Sequence, residues 1–193
     1  MSDRAAENRG YNLRMNIRPR LSLRIPAASA VGGVLAALLL GAAAAAAPTG
    51  TPLLADHIVV HKAAHMLYLY RGKQLLDAYH VELGLNPVGQ KEREDDFRTP
   101  EGHYRLERRN PRSDYFLSIE VSYPNQADEA RARRHHWAAG GDIMIHGTPN
   151  APRYPGSYYA TSDWTNGCIA LSNSDMVEVW MRTEDDIPVD IYP

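Results

Sequence analysis

Apolar and polar positions divide the chain into three regimes. Met1 to Arg24 is polar with scattered basic residues, Ile25 to Ala55 carries no charged residue, and from Asp56 onward short apolar runs alternate with turn residues. In the last regime, Asp56–His61, His65–Tyr70 and Leu75–Leu83 are rich in β-branched and aromatic residues. They are separated by Lys62-Ala63-Ala64 and Arg71-Gly72-Lys73. That spacing predicts strands of an antiparallel, mostly β core. Strand character returns at His103–Leu106, Tyr115–Val121, Asp142–His146 and Ile187–Tyr192, after a long loop from Gly84 to Gly102. Gln126–Trp137, charged and proline-free, predicts a short surface helix. Ser172–Trp180 predicts another, because cap residues precede Met176, Val179 and Trp180 at helical spacing. Asn150–Ser162 is rich in Pro, Gly and Tyr and reads as a loop. The fold class is mostly β with a minor α component.

The first two regimes together have the layout of an export signal. Six arginines stand against Asp3 and Glu7 before an apolar stretch that ends in Ala42–Ala47 and Pro48. A basic start, an apolar middle and small residues at the end are what a signal peptidase substrate needs, with cleavage near Ala45–Ala47. The uncharged run is also long enough for a retained membrane anchor. Met15 is an alternative start, since residues 1–10 add nothing to such a signal. The expected organisation is a basic segment and signal or anchor over 1–47, a linker over 48–55 and one domain over 56–193. Both readings place that domain outside the cytoplasm, in the periplasm or cell envelope. The whole chain carries −2 and its leader +4, leaving −6 for the remainder. An acidic domain argues against nucleic-acid binding, and it leaves membrane contact to the N-terminal segment alone.

Cys168 is the one cysteine in the sequence. A lone thiol forms no internal disulfide, and in an oxidising compartment it invites damage. It lies in Asp163-Trp164-Thr165-Asn166-Gly167-Cys168-Ile169-Ala170, downstream of Ile145-His146-Gly147. A thiol is a nucleophile as its thiolate, a state favoured by a neighbouring imidazole or a helix N-terminus. Cys168 with His146, just before an expected helix, fits that chemistry. From spacing alone the alternative stays open: a small buried hydrophobe beside a hydrogen-bonded core histidine.

The ordered motifs resemble the YkuD-type L,D-transpeptidase catalytic domain. They are Gly84-Leu85-Asn86-Pro87-Val88-Gly89, Arg98-Thr99-Pro100-Glu101-Gly102-His103-Tyr104, His146-Gly147 and Thr165-Asn166-Gly167-Cys168. The likeness runs from about Asp56 to Pro193. It implies an L,D-transpeptidase-like β-sandwich or barrel with one or two short helices, and a peptidoglycan stem-peptide substrate. By the resemblance, Cys168 is the nucleophile, His146 the general base and acid, and the Gly167 and Cys168 backbone the oxyanion hole. Gly147, Tyr158, Trp164, Thr165 and Asn166 are candidate substrate-binding residues. The implied reaction is acyl transfer through a thioester to a stem-peptide amine, a lipoprotein lysine or water, with no metal or organic cofactor. Carbapenem β-lactams would acylate the same thiol. Two positions depart from the family pattern: Asn166 where histidine is common, and Ala170 where arginine is common. They leave the acceptor open between a transferase, a same-fold hydrolase (an L,D-carboxypeptidase or a peptidoglycan–protein amidase) and a non-catalytic peptidoglycan-binding module.

Other chemistry-bearing residues read as structural. His57, His61 and His65 would share a helix face, but their surroundings are strand-like, so the spacing points to no metal site. His135-His136 belongs to the charged surface helix. Arg105, Arg108, Arg109 and Arg112 are candidates for carboxylate binding or for a solvated face. Tyr154, Tyr158, Tyr159 and Trp164 lie between the two catalytic candidates in sequence and are candidates to line a peptide cleft.

Overall fold

The computed structural model describes residues 53–193; the expected export segment over 1–47 and most of the linker lie outside the described residues. The described part contains eight strands and three short helices. They are β1 (His57–His61), β2 (Met66–Arg71), β3 (Gln74–His80), β4 (Gly102–Ser113), β5 (Phe116–Val121), α1 (Gln126–Arg134), β6 (Met144–His146), α2 (Gly156–Thr161), β7 (Ile169–Ala170), α3 (Asn173–Arg182) and β8 (Pro188–Tyr192). The strands run in the order β3-β2-β1-β8-β4-β5-β6-β7. Among the described residues no helix is long and apolar enough to cross a membrane.

Side-chain alternation builds the core as the sequence pattern requires. Ile58 and Val60, Leu67 and Leu69, and Val189 and Ile191 point to one face and are fully buried, while their neighbours face outward. On β5 and β6, Ile119, Val121 and Ile145 continue that layer, and Met176 and Val179 of α3 cover it. Ser172 caps α3, its Oγ accepting the Asp175 N–H at 3.1 Å.

Three features differ from the sequence reading. Two of the strand pairings are parallel rather than antiparallel: β1 with β8, and β6 with β7. A parallel pair needs a long connection, usually with a helix in it, and residues 147–168 supply one between β6 and β7. The expected loop accordingly holds α2, the helix of that crossover. Finally, β4 runs far beyond Leu106. Its first residues pair with β8 and its remainder with β5, across two register shifts. The second half of β4 is polar and largely exposed, so no apolar alternation marks it as strand.

The arginines of β4 serve the fold. Arg109 donates to Asp185 and to the Trp180 and Thr183 carbonyls, satisfying the last turn of α3. Arg105 pairs with Asp186 and Arg108 with Glu120. Arg109 is thus held in a largely buried structural set, while Arg105 and Arg108 make exposed surface pairs.

The two ends of the strand order approach each other. The segment after β3 forms a bridge from Glu82 to Ala170 and another from Gly84 to Thr165, so the sheet curls towards closure at a seam beside Cys168. The long loop over 84–101 is tied down by one buried cation. Lys62, at the end of β1, is 3% exposed and donates to Gly89 O at 2.7 Å, Thr99 O at 2.9 Å and Glu101 Oε1 at 2.8 Å. Removing one member of such a set leaves buried acceptors unpaired. Lys62→Ala is expected to lower unfolding free energy by about 3 kcal/mol in urea titration. A loss below about 0.5 kcal/mol, the size of an ordinary surface change, would show that the ammonium does not anchor the loop.

Candidate active site

The short parallel ladder of β6 and β7 sets Ile145 opposite Ile169 and His146 opposite Ala170. Both isoleucines are fully buried in the core. Alternation then turns His146 to the other face of the sheet, and Cys168 lies one residue before the strand that carries Ile169. That register separates the Cα atoms of His146 and Cys168 by roughly 8 Å, one strand over and one pleat repeat back. Both residues line a cleft of about 560 Å³, together with Met144, Trp164, Asn166 and Tyr115.

Cys168 is half-buried. Its Sγ accepts the Met144 N–H at 3.4 Å and donates to Asp142 O at 3.5 Å. Burial pushes its pKa up, and the Met144 hydrogen bond opposes that only in part. The expected help from a helix terminus is missing. β7 intervenes, α3 begins only at Asn173, and the dipole acts over about one turn.

His146 is 3% exposed, with its ring against Tyr115 at 4.7 Å and Trp164 at 5.5 Å between centroids. Its Nδ1–H donates to Gly147 O at 2.7 Å, so the proton sits on Nδ1 and the lone pair on Nε2. Burial pulls its pKa down to about 4 against the smaller opposing effect of that hydrogen bond. At neutral pH the site therefore rests as a thiol and a neutral imidazole, not as the thiolate pair anticipated from the residue types.

Thr165–Cys168 is held by its own side chain. Thr165 Oγ1 donates to Cys168 O at 2.8 Å and accepts the Gly167 N–H at 3.1 Å. The Thr165 amide and carbonyl bond to Leu83 O and the Leu85 N–H across the seam. Thr165 is buried and its hydroxyl is spent on this turn, so it shapes the loop rather than offering a substrate contact. Gly167 likewise does not fit its anticipated part, because its N–H is given to Thr165. It supplies conformation: φ is +131°, and a Cβ there would stand 2.6 Å from Arg98 O.

Gly147 also acts from behind. Its carbonyl orients His146, and its N–H donates to Tyr115 O and Leu117 O. Asn166 is exposed, and both Asn166 and Trp164 line the Cys168 cleft. Tyr158 lies in a neighbouring cleft of about 450 Å³ that shares Trp164 and Tyr115 with the first. The rim of the Cys168 cleft is acidic, with Glu94, Asp95, Asp114 and Asp142. Its Lys91 is held by Asp96 at 2.7 Å.

Residues 55–191 match the family model of the L,D-transpeptidase catalytic domain, YkuD. The chain belongs to this family. Over 139 residues it is 30% identical to the Escherichia coli (strain K12) protein named "Putative L,D-transpeptidase YafK", covering 66% of this chain and 48% of that protein. The helical cell shape determining protein Pgp2 from Campylobacter jejuni superposes with a TM-score of 0.55 at 25% identity, over 74% of this chain and 51% of Pgp2. Bd1075 of Bdellovibrio bacteriovorus shares the fold at 21% identity and a TM-score of 0.50, over 74% of this chain and 51% of Bd1075. The chain spans about half the length of these relatives.

Sequence reasoning missed Tyr115, Asp142 and Met144. Tyr115 packs on His146, while the other two hold the thiol through backbone atoms, which leave no trace in residue type.

Two pH dependences follow. Folded His146 protonates near pH 4 and an unfolded histidine near about 6.5, so the unfolded chain binds more protons between those values. Stability contributed by neutral His146 is therefore present above about pH 6.5 and lost as pH falls towards 4. By urea titration, wild type should lose about 3 kcal/mol more than His146→Gln over that window; parallel curves would refute it. The rate of Cys168 alkylation by iodoacetamide should rise only above the ordinary thiol pKa of about 8.5. An inflection below about pH 7 would reveal a preformed thiolate–imidazolium pair instead.

Proposed function

We propose that this chain is an exported L,D-transpeptidase acting on peptidoglycan stem peptides in the cell envelope through a Cys168 thioester. The observation that carries this reading is the common cleft of Cys168 and His146, with Nδ1–H locked on Gly147 O and Nε2 left as the basic nitrogen. Family membership supports the reaction class, and the basic and apolar N-terminal pattern supports export.

The chemistry starts from the neutral pair. His146 Nε2 takes the thiol proton as Sγ attacks the carbonyl on the L-centre of the third stem residue. With Gly167 N–H engaged, the Cys168 N–H is the backbone donor assigned to the developing oxyanion. The imidazolium then protonates the departing amine of the terminal D-alanine, leaving the thioester. An acceptor amine attacks next; its proton passes to His146, and Cys168 leaves and recovers a proton. The acidic rim suits a cationic amine, either on a second stem peptide or on a lipoprotein lysine. Ala170 offers no charge for a carboxylate.

The same rim supports a second reading, a hydrolase that frees a peptidoglycan-linked protein. The amine that attacks a thioester and the amine that leaves in forming one occupy the same place, so water as acceptor turns attachment into release.

Exposure to a carbapenem should add one drug mass to the wild-type protein and none to Cys168→Ala, read by intact-mass spectrometry. An unmodified wild type would favour a binding module. Incubation with peptidoglycan should then yield 3→3 cross-linked muropeptides or protein adducts; release of protein or D-alanine alone would move the function to the hydrolase.

A further inference from the structure

The seam beside the Cys168 loop contains a cluster that the proposed chemistry does not use. His65 follows the turn before β2, Glu82 follows β3, and Asp163 opens the stretch that leads to Cys168. Far apart in sequence, they each place a ligand atom within 4.8 Å of the other two. His65 Nε2 is 3.1 Å from both carboxylate oxygens of Asp163. Asp163 Oδ1 also accepts the Leu83 N–H at 2.7 Å, which fixes the carboxylate in place. On the outer side, His80 Nε2 stands 3.0 Å from Glu82 Oε1, and its ring stacks on His65 at 6.0 Å.

Charge is the second, independent observation. Glu82 has a side chain only 6% exposed and Asp163 one 17% exposed. Among the described residues neither carboxylate has a lysine or arginine within ion-pair distance; their partners are His80 and His65. Two carboxylates converging in one largely buried seam, beside an imidazole and without a lysine or arginine, are a donor set that a divalent cation would suit.

We infer that His65, Glu82 and Asp163 form a binding site for a divalent transition metal of the zinc class, stapling the seam that carries the Cys168 loop. One imidazole nitrogen and two carboxylates suit zinc, with a fourth position for water. With every ligand atom within 4.8 Å of the others, reaching the tetrahedral edge of about 3.4 Å needs a contraction of at most about 1.4 Å. His80 acts as the outer partner that orients Glu82. The bound ion would join three segments otherwise tied by backbone bridges. Glu82 N–H and C=O pair with Ala170, and Asp163 stands five residues before Cys168, so both ends of the loop meet at the ion. Its role is to brace the loop, outside the acyl-transfer steps.

The test is zinc chloride titrated calorimetrically into the metal-free purified protein. A Cys168→Ser background removes the competing thiol. One ion per chain is expected, and zinc at 100-fold above its Kd should raise the unfolding midpoint by roughly 5 °C. Asp163→Asn and His65→Asn should each weaken zinc at least about 100-fold. Asparagine tolerates the positive φ of +52° at residue 65, so that variant keeps the fold. His57→Asn, whose imidazole bonds Asp190 on another part of the sheet, should leave the affinity unchanged. Absence of stoichiometric binding in the Cys168→Ser background would overturn the inference. So would an affinity that survives both Asp163→Asn and His65→Asn. Metal affinity is read without any peptidoglycan substrate, so this result is separable from the fate of the transpeptidase reading.

Discussion

The site depends on the parity of a two-residue ladder. Because Ile145 and Ile169 must both enter the core, the residues beside them must face away from it. A slip of one residue on either strand would expose an isoleucine and bury a polar side chain, at a cost of several kcal/mol. Hydrophobic burial on one face thus fixes where His146 and Cys168 point on the other. The ladder alone is too short to hold that register. Its support comes from β5, which pairs with β6, and from the Glu82–Ala170 bridge on the far side of β7.

Behind this ladder, backbone atoms do most of the positioning. Gly147 O selects the imidazole tautomer, Met144 N–H and Asp142 O hold the thiol, and Leu83 and Leu85 hold Thr165. Such contacts come from backbone beside the strand ends and the two isolated bridges, and they do not depend on side-chain rotamers. They also account for the glycines. At Gly147 a Cβ would lie 2.5 Å from Asn173 Oδ1 and 3.0 Å from Phe116, so the turn that carries the carbonyl has no room for a side chain.

What could be read from the sequence divides along the same line. Runs of β-branched and aromatic residues between turns identified β1, β2, β5 and β8, and the Ser172 cap with Met176 and Val179 identified α3, because each rests on side-chain type and spacing. His146-Gly147 and Gly167-Cys168 were visible as chemistry because rare residue types sit in a recognisable order. The parallel pairings were not visible, since they join segments distant in the chain. Only the length of the 147–168 connection hinted at the α2 crossover. The polar half of β4 was hidden because Arg108 and Arg109 there pair with Glu120 and Asp185 instead of alternating with apolar residues. The hydrogen bonds by which Gly147 and Thr165 hold the site were hidden as well, because they are made towards the protein, and residue type does not report direction.

The neutral resting pair gives the lone cysteine a physical rationale. The thiolate is the form that oxidants and metals attack, and a chain exported as proposed would meet both. Burial keeps Cys168 protonated and lets His146 remain an unprotonated acceptor far below neutral pH. In the proposed reaction, proton transfer would wait for a carbonyl to reach Sγ, when charge moves onto an oxygen that the Cys168 N–H could meet. A preformed ion pair would make the thiol more reactive at rest and more vulnerable. Under the proposed function, the raised thiol pKa would set a lower intrinsic reactivity against survival in an oxidising compartment, and would leave activation to the geometry of the bound substrate.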